Sequence, residues 1–142
     1  AAQALRAALA AQGAQRIALV APYPVDLHEA GLGYWRNAGL EIVASLRVDP
    51  TLADTHRIYE LTSDDALAAL RRVESAGADC VVASGTGMPT LRALRRRRAS
   101  DSLPVLSSNL CLAWALWRAV APSEAPLTPL DLLDAIDHSI DR

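Results

Sequence analysis

Tyr23 stands between two prolines, and further along the chain Ser84-Gly85-Thr86-Gly87 forms a short glycine-rich loop leading into Met88-Pro89. A third polar run, Ser107-Ser108-Asn109, follows a short apolar stretch. These residue types suit the holding of a small anion. Glycines let a ligand approach the backbone, and N–H groups at the start of a helix favour negative charge. The Tyr23 phenol can donate a hydrogen bond to a substrate oxygen. A carboxylate is the natural guest. The plain alternatives are a strand-to-helix turn for the loop and a tyrosine packed on the sheet edge.

Other reactive side chains are weaker candidates. His28 falls in the first turn of a helix, where the neutral form is favoured. It is a candidate acid–base, with an exposed helix-start histidine as the simpler reading. His56 and His138 have no partners at ligand spacing, so no metal is assigned. Cys80 opens a strand, about 16 Å from its far end at ~3.3 Å per residue, and is expected to be a buried small hydrophobe. Cys111 starts a helix nearer the loop, within an apolar run that favours core packing over an acidified thiol.

The elements that must position these groups follow from periodicity and punctuation. Helices are expected at 1–12, closed by Gly13; at 27–38, capped by Asp26 and ended by Gly39; at 64–76, capped by Ser63 and stopped by Gly77; at 89–98, opened by Pro89; at 109–121; and at 130–140. Apolar runs at 16–21, 41–48, 79–84 and 103–107 read as buried strands. The stretch 49–61 shows no period. Strands alternating with helices imply an α/β fold with a four-stranded parallel sheet, flavodoxin-like order 2-1-3-4, and helices on both faces. In such sheets ligands bind beyond the carboxyl ends of the strands, where the winding reverses. That point lies between the first and third strands, where the Tyr23 turn meets Gly85, Thr86 and Gly87, with Ser108 and Asn109 alongside.

Composition excludes several classes. The chain of 142 residues is 51% hydrophobic and 21% charged, with a formal net charge of −2 from 14 basic and 16 acidic residues. It is one domain with a real core rather than a disordered chain. The near-balance of charge argues against nucleic acid as a partner. The run Arg95-Arg96-Arg97-Arg98 reads as a solvated helix end, and Tyr34, Trp35, Trp114 and Trp117 as core or interface aromatics. No apolar run approaches the ~18 residues of a membrane span, and no secretory signal is evident, so a cytoplasmic location is the default. With 2 cysteines, a disulfide scaffold or four-cysteine zinc site is not expected. The chain begins at Ala1 without Met, so an upstream segment is expected. Residues 122–142 read as a Pro-rich linker and a last helix.

Three segments together resemble the Asp/Glu racemase superfamily, in the branch of maleate cis-trans isomerase and arylmalonate decarboxylase. They are RIALVAPYPVDLHEA (Arg16–Ala30), TSDDALAALRRVESAGADCVVASGTGMPTLRAL (Thr62–Leu94) and LPVLSSNLCLAWALWRAV (Leu103–Val120). The resemblance covers residues 1–121 and is to the C-terminal half of a pseudo-symmetric two-domain fold. It implies a site between two halves, no cofactor, no metal, and thiol chemistry on a small dicarboxylic acid. An N-terminal half-domain is the implied partner, with a homo-oligomer in view. Tyr23 looks like the family's substrate-binding tyrosine, and Gly85 and Thr86 lie where loop amides bind a carboxylate. The chain departs from the family where a cysteine would fall at Gly85, giving Ser-Gly-Thr. His28 stands where relatives often carry Asn, and the usual Asn before the third helix is not evident in Asp54-Thr55-His56-Arg57. The resemblance thus implies an isomerase, racemase or decarboxylase with a single-thiol or altered mechanism, with a non-catalytic dicarboxylate-binding module as the alternative. A flavodoxin-like domain binding a phosphate at the loop is the third reading.

Overall fold

The computed structural model describes residues 1–100 and 102–140, with side chains described through residue 136 apart from residue 101. The elements, in chain order, are α1 (Ala2–Ala11), β1 (Arg16–Ala21), α2 (Val25–Asn37), β2 (Glu41–Arg47), a 3-10 segment (Thr55–Glu60), α3 (Ser63–Arg72), β3 (Cys80–Ala83), α4 (Leu91–Arg98), β4 (Val105–Ser107), α5 (Ser108–Val120) and α6 (Pro129–Ile140). The sheet has the order β2-β1-β3-β4 and every pair is parallel. This is the fold the alternating pattern predicts.

The central strands are buried along almost their whole length, as a sheet covered on both faces requires. Ile17, Leu19, Val20, Val81, Val82 and Leu106 form the middle of the core. Helix α3 packs beside α4, and α1 beside α5. The chain moves one way along the sheet into β2 and the other way into β3 and β4. Right-handed crossovers then place α2 and α3 on opposite faces. Helix α6 packs on α5 and reaches α4 through Arg98 Nη2–Asp134 Oδ2 at 2.7 Å.

Several boundaries differ from expectation, for local reasons. Thr62, not Ser63, caps α3. Its hydroxyl accepts the Asp65 N–H at 3.2 Å, and the Asp65 carboxylate accepts the Thr62 N–H at 2.8 Å, a reciprocal capping box. Asp26 does not cap α2; Pro24 holds the cap position and Asp26 sits inside the first turn, facing the helix dipole. Pro89 lies before α4 rather than within it, with Thr90 at the cap. Helix α3 ends at Arg72, short of Gly77, whose φ of +76° turns the chain toward β3. Asp79 lies just before β3 and ties it to β1: its N–H donates to the Arg16 carbonyl at 2.7 Å, and its Oδ2 accepts the N–H groups of Gln15 and Arg16 at 2.9 and 2.8 Å. The aperiodic stretch holds the 3-10 segment, started by Asp54 accepting the His56 N–H at 2.8 Å.

The four-arginine run ends α4 as expected, with Arg96 and Arg98 exposed, but one of its members turns inward. Arg97 is buried, with Nε directed at the Leu70 carbonyl at 3.4 Å, and Arg96 pairs with Asp64 at 3.0 Å. Trp114 is a core residue; its Nε1–H donates to the Pro126 carbonyl at 2.9 Å, and the Arg118 guanidinium lies 4.7 Å from its ring. Trp35 is buried edge-on to the exposed Tyr34 ring. No helix among the described residues is long and apolar enough to cross a membrane.

Candidate functional site

The loop after β3 is built by side chains from the start of α5. Ser84 still donates its N–H to the Val20 carbonyl at 2.8 Å, so the loop leaves the sheet beside the end of β1. Gly85 then takes a φ of +104° and is buried. Its N–H donates to Ser108 Oγ at 3.1 Å. Asn109 Nδ2 donates to the carbonyls of Thr86 and Met88, each at 3.3 Å. Thr90 Oγ1 donates to Ser107 Oγ at 2.9 Å, and Ser107 also caps α5 by accepting the Leu110 N–H. Met88 is wholly buried and anchors the loop in the hydrophobic core. The bend is therefore held from three successive residues, Ser107 at the end of β4 and Ser108 and Asn109 at the start of α5.

Two expectations are corrected by this network. Gly85 was expected to offer its amide to a ligand, but that amide is already spent on Ser108. Ser108 was expected at the rim; it is buried and acts as the acceptor that fixes Gly85. Asn109 is half-buried and serves the same holding role. Gly87 does not adopt a positive φ; what it provides is a close approach, since a Cβ there would lie 3.1 Å from Ile58 Cγ2 and 3.2 Å from Tyr59 Cε1. Thr86 is exposed and Gly87 half-exposed, and neither N–H donates to a protein group among the described residues. They are the donors left at the bend.

Tyr23 meets this loop. A Cβ on Gly85 would stand 3.4 Å from the Tyr23 hydroxyl, and 2.9 and 3.0 Å from Cγ and Cδ of Pro22. The phenol thus faces the bend across the gap between β1 and β3. Tyr59 and Arg47 were not singled out from sequence. Tyr59 lay in a stretch without period, yet its ring lies against Gly87 and is 77% exposed. Arg47 ends β2, and its guanidinium reaches the Tyr23 carbonyl at 3.0 Å. A lone arginine closing an apolar strand was the only signal available for it.

His28 is not brought to the bend. It is buried, not exposed as the simpler reading expected, with Nε2 3.3 Å from Ser45 Oγ on β2 and Nδ1 without a hydrogen-bond partner. Burial lowers its pKa, with Arg47 adding to the effect and Glu29 opposing it. Cys80 and Cys111 are both buried, and burial pushes each thiol up to about 12. Neither is a thiolate at neutral pH. His56 is exposed, and the His138 side chain lies outside the described residues. Among the described residues no group of His, Cys, Asp and Glu is arranged to hold a metal ion.

The family model described as arylmalonate decarboxylase matches residues 1–128. Among solved structures, the chain is similar to the maleate isomerase Iso of Pseudomonas putida S16, with 26% identity and a TM-score of 0.80 over 93% of this chain and 54% of that one. The maleate cis-trans isomerase of Nocardia farcinica gives 27% identity and a TM-score of 0.77 over 90% of this chain and 54% of that one. An arylmalonate decarboxylase structure shares the fold at 21% identity and a TM-score of 0.74, over 88% of this chain and 55% of that one. The chain thus spans about half the length of each. No curated protein sequence matches it.

Proposed function

This chain belongs to the arylmalonate decarboxylase family, and from that premise we propose that it forms one wall of a site for a small dicarboxylic acid, in an isomerase, racemase or decarboxylase that works without a cofactor. The observation that carries the reading is the Tyr23 hydroxyl facing the Gly85 bend, beside the unspent amides of Thr86 and Gly87. A phenol and free amide N–H groups gathered at one bend suit a carboxylate oxygen, and they bind it more strongly as its negative charge grows.

Gly85 carries no side chain, so this wall supplies no thiol there. In a decarboxylation the bond from the α-carbon to one carboxylate breaks, carbon dioxide leaves, and the electron pair enters an enediolate. Thr86, Gly87 and Tyr23 donate hydrogen bonds to that enediolate. The proton returned to the carbon comes from an acid on the opposite wall, outside this chain. A donor pre-aimed at developing charge contributes about 3–4 kcal/mol of transition-state stabilisation. A one-sided acid delivers its proton to one face, so the product is a single enantiomer.

The test is turnover of phenylmalonate and maleate by the full-length protein. Tyr23→Phe is expected to lower kcat/KM about 100-fold or more, on the scale of one lost oxyanion donor. An unchanged kcat/KM removes Tyr23 from the site. The missing side chain at Gly85 is also what favours the second reading, a dicarboxylate-binding module without catalysis. Calorimetric binding of these acids with no turnover by the intact protein selects that reading.

A further inference from the structure

We propose that Arg47 is a positioning residue for the Tyr23 site, holding the phenol's turn and the Gly87-backing segment in one fixed arrangement; this rests on the reading of the site given above. Arg47 is the last residue of β2 and is paired in register with Ala21, the last residue of β1. It therefore sits where Pro22-Tyr23-Pro24 leaves the sheet. It is half-buried. Its guanidinium donates twice, from Nε to the Tyr23 carbonyl at 3.0 Å and from Nη2 to the Leu52 carbonyl at 2.8 Å.

The acceptors belong to different loops. Prolines on both sides of Tyr23 remove the N–H groups that would tie this turn to its neighbours. Pro24 caps α2 without a side-chain bond. The Arg47 fork supplies the missing tether. On its other side, Leu52 is buried and begins the connection to Ile58, which is buried under Gly87, and Tyr59, whose ring lies on it. One planar group with donors in fixed geometry thus sets the separation between the phenol and the Thr86–Gly87 amides. Lysine, a point donor on a flexible stem, cannot span both carbonyls in that way.

The experiment uses the intact protein. In the absence of ligand, with carbon-13-labelled tyrosine, Arg47→Ala is expected to shift the ring signals of Tyr23 and Tyr59 and leave Tyr34, at the far end of α2, in place. Phenylmalonate affinity is expected to fall about tenfold in Arg47→Ala, equivalent to about 1.4 kcal/mol, with Arg47→Lys intermediate. In a Tyr23→Phe background the same Arg47→Ala change is expected to cost less than about twofold, because its effect runs through the phenol. An unmoved Tyr23 signal overturns the proposal, as does an equal affinity loss in both backgrounds, which marks a general structural role. If the unaltered protein binds none of these acids while the tyrosine signals shift as stated, the site reading fails and the positioning role of Arg47 stands.

Discussion

Gly85 has room for a hydrogen and little else. Its φ of +104° is a conformation L side chains rarely adopt, and the position of a Cβ is already crowded by the Pro22 ring. Gly85→Ala is expected to destabilise the protein by about 1–3 kcal/mol through backbone strain alone, with crowding against Pro22 adding to it. Gly87→Ala meets only the ends of the Ile58 and Tyr59 side chains and is expected to cost less. Thermal unfolding of the pair checks the order, and a smaller loss at Gly85 contradicts it. The same crowding predicts that Gly85→Cys strains the bend rather than simply adding a thiol.

His28 gives a pH dependence of definite sign. Burial holds its pKa below the ordinary 6.5, so the unfolded chain takes up the proton first. Its contribution to stability is complete above pH 6.5 and is lost as the pH falls from there toward the folded value. Asp65, held below the ordinary 3.8 by the Thr62 hydroxyl and N–H, adds a separate loss at more acid pH. Thermal melts from pH 7.5 to 5 are expected to show a falling midpoint that flattens in His28→Gln. A midpoint that does not fall over this range in the unaltered protein contradicts the assignment. The thiols of Cys80 and Cys111 are expected to resist alkylation at pH 8 until the protein unfolds, since both are buried and neutral.

At the scale of elements, the loops are fixed by short polar devices at helix starts. Thr62 and Asp65 start α3, and the same pairing recurs at α6, where Thr128 and Asp131 exchange hydrogen bonds at 2.8 and 3.2 Å. Thr62→Ala is expected to cost about 1 kcal/mol, lowering the melting midpoint by roughly 2–4 °C. The Ser107-Ser108-Asn109 start of α5 does more, since it orients the bend that faces Tyr23. The existence and type of nearly every element were legible from apolar runs and punctuating glycines. Their ends were less so, because Ser63, Asp26 and Pro89 are each acceptable helix starters. The choice between such neighbours depends on which side chain finds a partner elsewhere. Ser63 reaches the Pro89 carbonyl at 3.4 Å, from another element.

On the scale of the whole molecule, Leu116, Trp117 and Val120 of α5, with Leu127 beyond it, stand 41–86% exposed. An apolar grouping of this kind on a chain that spans about half of its structural relatives predicts self-association when residues 1–142 are made alone. Sedimentation at rising concentration checks it; a monomer throughout is the contrary result, and Val120→Lys with Leu127→Lys is expected to suppress association. The sequence alone determined the sheet, its order and the strand ends where polar loops gather, because burial periodicity and right-handed crossovers leave few alternatives. It could place Tyr23 opposite the glycine loop for the same reason. Only the tertiary structure decided which donors remain free there, giving Gly85's amide to Ser108 and leaving those of Thr86 and Gly87. It also turned His28 toward Ser45 and brought Arg47 to the Tyr23 carbonyl. Those outcomes rest on side chains distant in sequence competing for the same few polar atoms, and no local pattern encodes which of them arrives.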